Sequence, residues 1–246
     1  SGCTDSYADN YDETANVDDG SCEYPDYGDF SLEFDGENDY ATLSNPITFG
    51  ENSFSVSIDC YLNDFQGSDN EPYSYIVGTP LTGNTNDHGF KIETSTGDYN
   101  GGFNVHINDA GTSYFNVLRY DNEEQTNVVL NRWYNLTMVV NRSSNDFLFY
   151  VDGILVDSEI IDDNFGDVDL GVPIAIGVMS ANNTSLLNGS TDNLHIWNIP
   201  LTQDQVQSYM ATPPTGNEEG LVGYWKFNSG EGDTLYDYSG NANHGA

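Results

Sequence analysis

Basic residues are nearly missing from this chain. Its 246 residues include 5 Lys and Arg against 40 Asp and Glu, a formal net charge of -35. Such a surface repels phosphate backbones and has too few cations to release their counterions, which excludes nucleic acid as a partner. An anionic membrane surface is excluded on the same ground. No run of about 18 apolar residues occurs, so no segment reads as a membrane-spanning helix. The chain opens without a charged start and an apolar stretch, so any signal peptide is expected to have been removed or to lie outside this sequence. C-x-x-C, H-E-x-x-H, G-x-S-x-G and phosphate-loop motifs are all absent, and the four His are scattered, so zinc is not expected. Helical periodicity is scarce too. Only LTQDQVQSYM (201–210) reads as a short amphipathic helix, with Thr202 as its cap. Alternating βαβ folds are therefore excluded.

What the chain does have is aromatic mass and period-two alternation. Its 17 Tyr, 12 Phe and 3 Trp need a core or a binding face, which argues against disorder despite the low hydropathy. In FSVSIDCYL, Phe54, Val56, Ile58, Cys60 and Leu62 alternate with Ser55, Ser57 and Asp59. GFNVHIN sets Phe103, Val105 and Ile107 on one face and His106 on the other. Phe147, Phe149 and Val151 lead into an Asp152-Gly153 turn, and Ile154 and Val156 lead out, a hairpin signature. VPIAIGV, NLHIWN and LVGYWKF add further strands. About a dozen such segments, separated by Gly, Asn, Asp and Ser, predict an all-β sandwich or jelly roll of two antiparallel sheets. The length suits one large sandwich with a small appendage.

The appendage is residues 1–27, which have almost no aliphatic side chains. Cys3 and Cys22 bracket a loop too polar to hold itself together, so they are expected to form a disulfide, which implies an oxidising compartment. Cys60, alone in an apolar run, reads as a free buried thiol. Asp5, Asp9, Asn10, Asp12, Asn16, Asp18 and Asp19 supply hard oxygen ligands, and Gly20 allows a tight turn beside Asp18 and Asp19; the spacing is not that of an EF-hand. The segment is similar to a short Cys-bounded repeat, GCTDxxAxNY…DDGSC, of secreted bacterial proteins. That resemblance implies a secreted or cell-surface location. Pro25 and Gly28 mark the boundary, and residues 28–246 form the main domain.

Five stretches in order resemble the LamG-like jelly-roll family of the concanavalin A-like lectin and glucanase superfamily. They are SLEFDGENDYATL (31–43), LNRWYNLTMVVNR (130–142) with Trp133, FLFYVDGILVDS (147–158), LLNGSTDNLHIWNIPLTQDQVQSYM (186–210) and GLVGYWKFNSGEGDTLYDYSGNANHGA (220–246). In many family members the last of these opens a domain. Here residues 220–246 are either the closing strand of this domain or the start of a tandem copy. Burial of Tyr224, Trp225 and Phe227 favours the first.

Three groups could hold calcium, which would also relieve the repulsion among so many carboxylates. One is Asp237, Ser239 and Asn241 in DYSGNANHG, to which the family resemblance adds Asp192. The others are Asp35 with Asn38, and Asp18 with Asp19. The alternative is that these Asp and Asn residues stabilise turns through their own backbone hydrogen bonds. Carbohydrate is the ligand the family resemblance implies, held by aromatic faces and by amide and carboxylate groups. Loops pairing such groups include Phe65, Gln66, Tyr73 and Tyr75; Asp98, Tyr99 and Asn100; and Tyr114, Arg119 and Tyr120. Each aromatic could instead be part of the sandwich edge. Catalysis is not expected: the strand-borne E-x-D-x-E trio of the related glucanases is absent, and His106 with Tyr114 matches the related lyases only loosely. The expected function is thus a non-catalytic, calcium-binding extracellular module that binds polysaccharide or a cell-surface glycan. An adhesion or assembly module of a large surface protein is the alternative, and a hydrolase or lyase of the same superfamily the third reading.

Overall fold

The alternating segments become strands that each bury one face. The computed structural model describes residues 1–67, 73–80, 88–95, 101–110, 115–121, 128–169, 171–179 and 184–246. Among these residues the chain forms β1 (Leu32–Asp35), β2 (Ala41–Thr42), β3 (Phe54–Leu62), β4 (Tyr75–Gly78), β5 (Gly89–Ser95), β6 (Gly102–Asn108) and β7 (Phe115–Asp121). It continues through β8 (Trp133–Asn141), β9 (Asp146–Val151), β10 (Ile154–Ile160), β11 (Ala175–Ile176), β12 (Asn188–Trp197), α1 (Gln203–Ala211) and β13 (Leu221–Trp225). The first sheet has the order β1-β12-β3-β8-β9-β10, with β13 also on β12, and the second β2-β11-β4-β5-β6-β7. All pairings are antiparallel. This is the expected jelly-roll sandwich.

Between the sheets, Phe54, Val56, Ile58, Cys60 and Leu62 of β3 meet Phe90 and Ile92 of β5 and Phe103, Val105 and Ile107 of β6 in one core. Cys60 is there as a buried free thiol. The β9–β10 hairpin turns at Asp152 and Gly153, with φ of 50° and 72°. Two consecutive left-handed residues match the right-handed twist of the flanking strands, which is why Asp-Gly stands there.

Helix α1 closes one end of the outer face of the first sheet. Thr202 caps it in a reciprocal capping box with Gln205. Its Val206 joins Val139, Tyr150, Trp197, Leu201, Leu221 and Tyr224 in a second apolar cluster. Residues 220–246 pack within this sandwich: β13 continues the edge that β1 begins along β12, and Trp225 is fully buried in the main core. Gly245 bridges to both Leu43 and Leu235.

The Cys3–Cys22 disulfide closes the amino-terminal segment. That segment is docked, not loose. Asp5 Oδ2 meets His244 Nε2 at 2.6 Å and accepts from the Tyr24 hydroxyl at 2.7 Å. Burial alone would raise the Asp5 carboxyl, but the hydrogen bonds of Tyr24, the Tyr7 amide and His244 outweigh it and hold it low. Lys226 pairs with Asp26 at 3.1 Å, and the Tyr238 hydroxyl donates to Pro25 O at 2.7 Å.

Candidate ligand-binding face

The outer face of the second sheet carries charge where a strand face would ordinarily be solvated. Alternation in β5 and β6 turns Phe90, Ile92, Phe103, Val105 and Ile107 inward, leaving Lys91, Glu93, Asn104, His106 and Asn108 on the other side. The register sets Lys91 opposite His106, Glu93 opposite Asn104, and Asn104 opposite Arg119 of β7. Glu93 is only 3% exposed. Its two oxygens meet Lys91 Nζ at 2.7 Å and His106 Nε2 at 2.8 Å. Lys91 also lies 5.5 Å from the ring centre of Tyr73.

Burial pushes the Glu93 carboxyl up, yet the His106 hydrogen bond and the Lys91 charge more than offset it, so Glu93 stays ionised. His106 is shifted down, by burial first and then by the charges of Lys91 and Arg119, against the pull of Glu93. Burial thus favours the neutral imidazole, whose Nε2 lies against a Glu93 oxygen. Among the described residues Asn104 Oδ1 and Asn108 Oδ1 are buried without a hydrogen-bond partner. Unpartnered buried acceptors on one strand face are what a hydroxyl-bearing ligand would satisfy.

Two of the chain's five Lys and Arg thus share this face. The others have structural work: Arg132 binds Asp152, Arg142 donates to Phe165 O and Gly166 O, and Lys226 fastens the amino-terminal segment. Of the residues proposed to touch a ligand, Tyr73 and Arg119 belong here. Tyr75 lies opposite Glu93 but is fully enclosed, its hydroxyl donated to Thr79 O. Tyr120 packs against the core instead. Tyr99, Asn100 and Tyr114 lie outside the described residues. Lys91, Glu93, Asn104 and Asn108 share this face, although the sequence reading singled out none of them. Their signal was the polar half of the same alternation that identified the strands.

The three calcium candidates come out as turn and loop chemistry. Asp237 is fully buried, and its oxygens accept from the backbone N–H groups of Tyr224, Ser239 and Asn243 at 2.9 Å each. Ser239 Oγ and Asn241 Nδ2 donate to Val222 O. The DYSGNANHG motif therefore satisfies the backbone of its own loop and of β13. Asp192 does not join it: the Tyr224 amide meets Asp237 while the Tyr224 hydroxyl donates to Asn193 beside Asp192, so a whole tyrosine separates them. Asp35 Oδ1 accepts from Glu37 N and Asn38 N, Asp18 Oδ1 from Gly20 N, and Asp19 Oδ1 from Ser21 N, all Asx turns. Tertiary folding does bring Asp18 beside Asn241, the two lining one depression. Among the described residues no three His, Cys, Asp or Glu side chains are gathered to hold a metal. As placed, these side chains do not fit a calcium ion.

The sequence profile of the concanavalin A-like lectin/glucanases superfamily matches residues 35–207. No curated protein matches the chain by sequence. Among solved structures, one similar fold is a candidate carbohydrate binding protein from Bacteroides ovatus ATCC 8483, with TM-score 0.64 and 17% identity. The alignment covers 91% of this chain and 59% of that one, so this chain spans little more than half of that relative. The CBM40 of a Ruminococcus gnavus IT-sialidase aligns with TM-score 0.54 and 11% identity, over 73% of this chain and 96% of its own. The heptameric SAP-like pentraxin of Limulus polyphemus gives TM-score 0.56 and 14% identity, over 75% and 84%. At these identities the likeness is one of fold.

Proposed function

The chain belongs to the concanavalin A-like lectin/glucanase superfamily, and on that premise we propose that it is a non-catalytic module that binds carbohydrate through the outer face of its second sheet. The observation that carries this reading is the buried Lys91–Glu93–His106 array beside the unpartnered acceptors of Asn104 and Asn108. Donors and acceptors fixed in register on rigid strands match the alternating hydroxyls of a sugar at little ordering cost. The names of the Bacteroides and Ruminococcus relatives support the same ligand class. The Cys3–Cys22 disulfide supports a secreted or cell-surface setting. A glycan array followed by calorimetry on the best hit tests the proposal. Arg119→Ala and Asn104→Ala should each weaken that hit by about tenfold or more, roughly one charged or buried hydrogen bond. A hit that ignores both substitutions, or a blank array, removes the reading.

Adhesion to protein has one observation of its own. Strand β10 ends the first sheet and exposes Ile154, Leu155 and Ile160 by 62%, 41% and 69%. An apolar edge strand offers backbone pairing to another chain. Binding to whole cells that survives loss of glycans and is abolished by Ile160→Lys would favour that reading.

A further inference from the structure

Helix α1 leaves the other end of the first sheet's outer face open. There the register sets Asp59 of β3 opposite Asp192 of β12 on one side and Asn135 of β8 on the other, with Tyr61 opposite Trp133. Like charges directly opposed across a strand pair repel one another. A single amide lies between them: Asn193 Nδ2 is 3.2 Å from Asp59 Oδ2 and 3.3 Å from Asp192 Oδ2. Asn135 Nδ2 gives Asp59 a further bond of 2.8 Å. The basic residue nearby, Arg132, is engaged by Asp152.

Around this polar floor stand three large apolar side chains from distant parts of the chain. Phe30, Trp133 and Met210 are 45%, 43% and 41% exposed. Together with Asp59, Asp192 and Asn135 they line an open depression of roughly 460 Å³, within the size range of small-ligand sites. Single exposed apolar residues are ordinary, whereas three converging on one depression mark a binding surface. The Tyr61 ring, 5.7 Å from that of Trp133, widens the aromatic wall.

We infer that this depression is a second binding site, for a saccharide bearing an ammonium group. The indole of Trp133 takes the C–H face of the sugar and attracts its cation through the ring quadrupole. The ammonium meets Asp59 and Asp192 from the open side of the depression, where its N–H groups make charged hydrogen bonds and offset the repulsion that the Asn193 amide bridges only in part. Burial disfavours the charged form of both carboxyls, so a cation seated there relieves a penalty already present in the free protein. An N-acetylated sugar leaves that penalty in place, and a carboxylated or sulfated one is repelled.

Tryptophan fluorescence reads this site directly, because Trp197 and Trp225 are fully buried. The full chain is titrated in 0.15 M salt with glucosamine tetramer and with its N-acetylated counterpart. The glucosamine tetramer should give a saturable change and bind at least about tenfold more tightly than the acetylated one. Trp133→Ala should remove the signal and most of the affinity measured by calorimetry. Asp192→Asn should bring the two ligands to within about threefold, while circular dichroism shows both variants folded. Tetramer binding that survives Trp133→Ala but falls with Asn104→Ala would belong to the second sheet and overturn this inference, so failure here and failure of the second-sheet proposal are distinguishable. Equal affinity for the two tetramers overturns the inference. So does binding that ignores both Trp133→Ala and Asp192→Asn, which would be attraction of a polycation to an acidic surface.

Discussion

Replacing Asp192 with Asn should stabilise the fold at pH 8 and leave it nearly unchanged at pH 4. Burial, then the charges of Asp59 and Asp29, push Asp192 up from an ordinary 3.8 to about 7, overcoming the amide bond from Asn193. The folded chain therefore holds a proton that the unfolded chain releases between these two values. Stability falls as pH rises through that window, and the whole penalty stands above about pH 7. The shift corresponds to at most about 4 kcal/mol. Because the carboxyl is partly exposed, solvent screening reduces this to about 1–2 kcal/mol. Asn at 192 keeps an oxygen for the 2.8 Å bond from Asn193 N–H, and it loses the 3.3 Å contact. In exchange its new amide can donate to Asp59. For a domain of this size the gain raises Tm by about 2–8 °C at pH 8. Calorimetric melts of both proteins at pH 4 and pH 8 measure it. A lower Tm for the variant at pH 8, or the same difference at both pH values, would refute the reasoning.

Glu93→Gln should destabilise the fold by about 3 kcal/mol, since it leaves Lys91 partly buried without its counter-charge; denaturant unfolding measures the change. Removing the disulfide with Cys3→Ala and Cys22→Ala opens a loop with a sequence separation of 19, which should release about 3 kcal/mol of constraint. Hydrogen exchange should then rise across residues 1–27 while the strands of the main core stay protected. Trp225→Ala, which empties a fully buried site, should cost about 3–5 kcal/mol of global stability in the same denaturant assay. Chelation should shift Tm by no more than about 1 °C, because the carboxylate at Asp237 is already met by three amides. A fall of several degrees would show an ion that the described side chains do not hold.

Much of the fold is legible in the sequence itself, for a local reason. Period-two alternation in 54–62 and 103–107 states which side chains are buried whatever they pack against, and the Asp152-Gly153 pair demands its turn through φ alone. The polar half of each strand was equally visible but silent about partners. Ser57, Asp59 and Tyr61 look alike in sequence, and register alone made Asp59 the neighbour of Asp192 and Tyr61 the neighbour of Trp133. At Asp237 the calcium expectation meets a competing use of the same oxygens, for a related reason. A Gly- and Asn-rich acidic loop offers the same oxygens to an ion or to its own amides, and burial under β13 placed the amides there first. What the sequence by itself determined is the acidic, disulfide-closed, all-β character of the chain, because composition and alternation are properties of the chain alone. Only the tertiary structure decided which polar residues meet. Residues far apart in sequence, such as Asp59 and Asp192, become neighbours through strand order, which no local pattern encodes.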